Sequence, residues 1–191
     1  MADSLAPPTL PPLEGWTRVD ESTDRLYQFG LVRVTARTVV YEDEAIRAQV
    51  PTPDDNPWRF LFASRLVIRP RTPSSVALTR LVRNGATTEF TSRLRNRGFT
   101  DIRRLDSRTL GVRNETADIV RYAATITVSG VELTADASLA VVPADGEFLL
   151  VGSAYPREIV GGDEETAAAL RECLDPERFR DEFVEIVRGI K

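Results

Sequence analysis

Histidine is absent from this 191-residue sequence, and cysteine and lysine each occur once, as Cys173 and Lys191. Without histidine the chain lacks the commonest general base, the commonest metal ligand and the usual partner of a catalytic serine or cysteine. One cysteine permits neither an internal disulfide nor a cysteine-based metal cage. No run approaches the ~18 consecutive apolar residues of a membrane helix. Nucleophilic chemistry would have to rely on carboxylates or the terminal lysine as base. The expectation is therefore a nonenzymatic protein with no metal and no other cofactor.

What is present is globular in character. The composition is 42% hydrophobic and 28% charged, which suits one domain with at most a tail. Four prolines fall in the first twelve positions. Residues 1–14 read as a flexible proline-rich leader and 15–191 as a single domain. The start has no basic region followed by an apolar stretch, so no export signal is visible. A lone cysteine suits a reducing compartment, and a cytoplasmic location is expected. Of the basic residues, 24 are arginine, a bias that fits a GC-rich or salt-loving, halophile-like source.

Hydrophobic periodicity sets the elements. Residues 16–42 alternate as strands, with Asp20-Glu21-Ser22-Thr23-Asp24 as the expected first turn and Gly30 as a bulge or bend. Val32, Val34, Ala36, Thr38 and Val40 share one face, and Arg33, Thr35 and Arg37 the other, as in an antiparallel sheet with one solvated side. Pro51-Thr-Pro-Asp-Asp-Asn-Pro57 is a loop on composition, and a strand is expected within Trp58–Ile68. Thr72-Pro73-Ser74-Ser75 reads as a helix start. Val76, Leu81, Val82, Phe90 and Leu94 then keep helical spacing, with Gly85 a weak point, so one bent helix or two short ones are expected over 74–97 with a stop at Gly98.

A strand over 105–113 is expected to open a meander over 119–128, 131–142 and 147–155, with a tight turn at Ser129-Gly130. Gly161-Gly162 precedes an acidic helix beginning at Asp163. Asp175 and Pro176 suit the N-cap and first turn of a last helix. Its stripe is Phe179, Phe183, Ile186, Val187 and Ile190. Strands and helices grouped without βαβ alternation predict an α+β fold with a central and a C-terminal helix packed on the sheet.

The opening strands from Trp16 to Tyr41, the meander from Thr116 to Tyr155 and the helix containing Arg178-Phe179-Arg180-Asp181-Glu182-Phe183 together resemble the Mog1/PsbP-like α/β/α folds. The segment Leu150-Val-Gly-Ser-Ala-Tyr-Pro156 resembles the last strand of that group, and also a class of uncharacterised haloarchaeal proteins. The resemblance spans about residues 16–190. It implies a noncatalytic adaptor or binding module and assigns no binding residue. A steroidogenic-transfer-like or nuclear-transport-factor-like cone is the alternative shape.

Few residues are arranged for chemistry. Cys173 follows Glu172, whose charge disfavours a thiolate. The acidic runs Glu42-Asp43-Glu44 and Asp163-Glu164-Glu165 lack calcium-loop spacing and read as solvated surface. Asp54-Asp55 reads as part of a turn. The one asymmetry is charge: residues 65–121 hold 13 arginines and five acids, a net of +8, while the chain as a whole carries −4. The densest part supplies the candidate contact for an anionic partner: Arg93, Arg95, Arg97, Arg103 and Arg104. Internal pairing with the acidic C-terminal third, or plain solvation, is the ordinary reading of such a segment; as a contact, with a pI near 5.1, it fits an acidic protein ahead of nucleic acid or another polyanion. A small apolar ligand held in a pocket between helix and sheet is the other binding mode.

Overall fold

The computed structural model describes residues 5–49, 59–73, 75–144 and 146–191. The strands are β1 (Trp16–Phe29), β2 (Val32–Asp43), β3 (Phe60–Arg69), β4 (Thr100–Val112), β5 (Glu115–Val128), β6 (Val131–Ala144) and β7 (Glu147–Gly161). The helices are α1 (Glu44–Gln49), α2 (Val76–Asn96), α3 (Glu164–Cys173) and α4 (Pro176–Gly189). All the strands pair antiparallel in one sheet of order β1-β2-β3-β7-β6-β5-β4. The α+β class and the C-terminal meander are as the periodicity predicts. Ser129 and Gly130 both take positive φ, +48° and +80°, the backbone a two-residue hairpin needs. The loop at 51–57, with Asp54-Asp55, lies outside the described residues, as do Trp58 and Ser74.

The first turn is not at Asp20–Asp24. Those residues run through the middle of β1, and the chain reverses at Gly30-Leu31, where Gly30 takes φ +56°. β1 is an edge strand, so its acids can be solvated or paired without leaving the sheet. Glu21 pairs with Arg18 and Arg37.

The solvated face expected on β2 is there, with Arg33 exposed and Thr35 and Arg37 partly so, but it does not extend to the middle of the sheet. Phe62, Leu66, Leu139, Val141, Phe148 and Leu150 join one apolar cluster with Phe90 and Leu94 of α2. Their immediate neighbours Leu61, Ala63, Ala140, Val142, Leu149 and Val151 join a second cluster with Phe183, Ile186 and Val187 of α4. Successive strand residues point to opposite faces, so α2 and α4 cover opposite sides of the sheet. Buried runs such as Leu139–Val142 follow from this layering.

α2 is one helix that passes through Gly85 unbroken. Ser75 caps it by accepting from the Leu78 amide. It ends as the sequence predicts, with Gly98 at φ +87° and two reversed hydrogen bonds. The Gly98 amide donates to Arg95 O and the Phe99 amide to Leu94 O, satisfying carbonyls that the helix leaves free. Its buried side differs from the expected stripe. Val76 and Leu81 are exposed, while Leu78, Val82 and Ala86 pack against the cluster of Phe90 and Leu94.

The described part of the proline-rich leader lies against the domain. Thr9 and Lys191 exchange both backbone hydrogen bonds, at 2.7 and 2.8 Å. Leu10 and Leu13 pack on the α4-side cluster.

Gly152 sits opposite Phe62 across the β3–β7 pair. A Cβ built there would come within 2.0 Å of the Phe62 ring, so the ring occupies the space a side chain would need. Gly152→Ala must displace a core aromatic, and we expect a loss of about 1–3 kcal/mol, read as a lower urea midpoint with an unchanged m-value.

Candidate functional site

α2 approaches the sheet at β6 and β4. Its other flank does not close down on β1–β3, and a cleft of about 670 Å³ opens there. That volume is within the ~300–1,000 Å³ of small-molecule sites. The floor is the alternating face of β2 identified above, from Val32 to Thr38, continued by Phe62, Ser64, Leu66 and Ile68 of β3. The roof is Leu78, Val82, Gly85 and Ala86 of α2. Leu26, Val32 and Leu81 line it while exposing 50%, 41% and 69% of their surface, so apolar side chains reach the mouth. Gly85 contributes width: a Cβ at that position would meet nothing within 4 Å.

Polar groups in the cleft are few and separated by depth. At the mouth Arg93 donates to Glu89 at 2.8 Å, one helical turn away, and Asp24 accepts from Ser22. On the floor the Thr38 and Ser64 hydroxyls lie 2.8 Å apart. The two residues face each other across the β2–β3 ladder, 5% and 3% exposed. This arrangement can hold an apolar body with one polar point of attachment. Thr38 was visible in sequence as a member of the β2 face. Its partner Ser64 carried no signal, because the pairing depends on register between strands 26 residues apart.

The five arginines read as an anionic-partner contact are dispersed. Arg93 belongs to the cleft mouth. The Arg97 guanidinium stacks over the Phe60 ring, 4.3 Å from its centroid. Burial and then the neighbouring Arg93 lower its pKa. Arg95 is exposed in the last turn of α2. Arg103 and Arg104 lie on the edge strand β4, opposite Ala123 and Tyr122. Adjacent strand residues point to opposite faces, so these two do not present one surface. Arg104 donates to Ser107.

The first acidic run is a structural ion-pair site and not the solvated surface expected. Glu42 and Asp43 are buried. Glu42 pairs with Arg47, and Asp43 with Arg59. Asp43 also caps α1 by accepting from the Ile46 amide at 3.0 Å. The second run starts α3 as read: Asp163 accepts from the Thr166 amide at 2.9 Å. Cys173 is buried beside Ala169 O, 3.3 Å away. Burial and then Glu172 raise its thiol pKa, the direction that suppresses thiolate chemistry.

A smaller, polar depression of about 410 Å³ lies beside α4 and includes Asp136, Tyr155, Arg157 and Arg180. Burial, then Asp136, pushes the Tyr155 phenol up to about 12, so it stays protonated at neutral pH and cannot serve as a base. Among the described residues, no three acidic or cysteine side chains converge as metal ligands. Also among them, no helix is long and apolar enough to cross a membrane.

No curated protein matches the chain. The family described as domain of unknown function DUF6517 matches residues 6–191, nearly the whole sequence, and the chain belongs to that family.

Proposed function

We propose that this protein is a nonenzymatic binding module that takes a small apolar ligand into the cleft between α2 and the β1–β3 half of the sheet. The observation that carries this reading is the cleft itself: about 670 Å³, apolar on floor and roof. A helix flank left open above an apolar sheet face leaves hydrophobic surface to be covered, and covering it favours an apolar guest. Dispersal of the five arginines makes an acidic protein partner the weaker reading. The helix–sheet–helix layering and the long meander support a Mog1/PsbP-like assignment of the architecture, whose implied role is also binding. A cytoplasmic location is part of the same reading, supported by the single cysteine.

The test uses the full chain and diphenylhexatriene, a hydrocarbon whose fluorescence rises in apolar sites. Saturable binding to the native protein is expected. Gly85→Leu places a side chain into the open width of the cleft and replaces a helix-interior glycine with a better helix former. It should weaken binding by about tenfold or more while leaving the melting temperature unchanged or higher. Equal binding by the two proteins, or none by either, would refute the reading.

A further inference from the structure

The chemistry at the bottom of the cleft specifies more than an apolar guest. Two hydroxyls carry two donor hydrogens between them. The 2.8 Å contact between Thr38 and Ser64 uses one. Among the described residues the other has no acceptor, although both residues are more than nine-tenths buried. The side chains that flank the pair on the cleft floor are apolar: Ala36 beside Thr38, Phe62 and Leu66 beside Ser64, and Leu150 opposite Ser64 on β7. A buried donor without a partner is unfavourable, and a guest that supplies an acceptor relieves it. At the mouth, by contrast, Arg93 Nε donates to Glu89 and both side chains are open to solvent.

We infer that the ligand is an uncharged, mainly apolar molecule with a hydrogen-bond-accepting oxygen inside its apolar body, such as a ketone, ester or ether, received by the Thr38–Ser64 hydroxyl pair. The oxygen is neutral because the floor offers no cation, and an unpaired charge there would be strongly disfavoured. This inference rests on the proposed binding role of the cleft and adds the ligand's polar chemistry.

The experiment displaces diphenylhexatriene from the native protein with nonane or with 5-nonanone, which differ in one mid-chain carbonyl. The quantity read is the ratio of the two affinities. Replacing both hydroxyls together, in Thr38→Val/Ser64→Ala, removes donor and acceptor at once and orphans neither, which is the mild way to delete a buried pair. In that variant the ketone-to-alkane ratio should fall about fivefold, the worth of one neutral hydrogen bond. Nonane affinity should hold or rise.

Independently of any variant, the carbonyl stretch of 5-nonanone bound to the native protein should lie below its position in hexane, as for a hydrogen-bonded ketone. A double variant with the native ratio, or an unshifted carbonyl band, overturns the inference while the apolar site stands. Failure of diphenylhexatriene and both nine-carbon molecules to bind overturns the site and the inference together.

Discussion

Truncating Phe183 to alanine is expected to cost about 3–5 kcal/mol, the range for deleting a buried aromatic ring. Phe183 is 4% exposed and sits among Ile186 and Val187 of α4, Ile190 just beyond its end, and Leu61, Ala63 and Val151 of the sheet. A neighbouring side chain can refill the void only by leaving its own contacts, so relaxation will be partial. A domain of this kind has only ~5–15 kcal/mol in total, so the substitution should consume a large share of its stability. Chemical denaturation reads the effect directly. A Phe183→Ala midpoint equal to the native one would mean that α4 does not close that face of the sheet.

Replacing Arg59 with methionine should be of similar size, for an electrostatic reason. Arg59 is 5% exposed. Its guanidinium pairs with Asp43 of β2 and Glu182 of α4. It also lies 3.7 Å from the centre of the Phe179 ring and 4.8 Å from that of Trp16. Burial draws its pKa down to about 10 against the pull of Glu182, which still leaves it charged at neutral pH. Removing it strands the Asp43 carboxylate, 8% exposed, without its cation. Breaking a buried pair from one side costs about 3–5 kcal/mol. Arg59→Met/Asp43→Asn should recover part of that loss, since no buried charge is then left unpaired at this point. A double variant less stable than Arg59→Met would show that packing around Trp16 and Phe179, and not charge, sets the cost.

Much of this architecture can be read from period and punctuation. The meander, the Asp175–Pro176 start of α4 and the Gly98 stop of α2 each depend on residues close together in sequence. What could not be read depends on distant partners. Asp20–Asp24 look like a turn by composition, and only their place on a sheet edge, opposite Ala36–Val40, lets them be strand. Asp43 looks like surface until Arg59 is brought to it. The same limit governs the cleft. Its floor on β2 was legible as an alternating face, and Gly85 as an irregularity in α2. That α2 would stand off from that floor follows from where β3 enters the sheet.

That entry point also orders how the chain can fold. β4 to β7 succeed one another through short connections, so each pairing closes a small loop. β3 joins β7 with Val67 opposite Glu147 and Phe60 opposite Ala154, so this seam must close around α2 and most of the meander. Loop-closure entropy rises with length, by about 0.6 kcal/mol per doubling, and nonlocal pairings slow folding. The meander is thus placed to form first and the β1–β3 unit to dock onto it last. The cleft, with Phe62 and Leu66 from one side of the seam and Leu139 and Leu150 from the other, comes into being only at that final step. A ligand that bridges the seam would then act as a fastener between its two sides, slowing their separation more than it speeds their assembly.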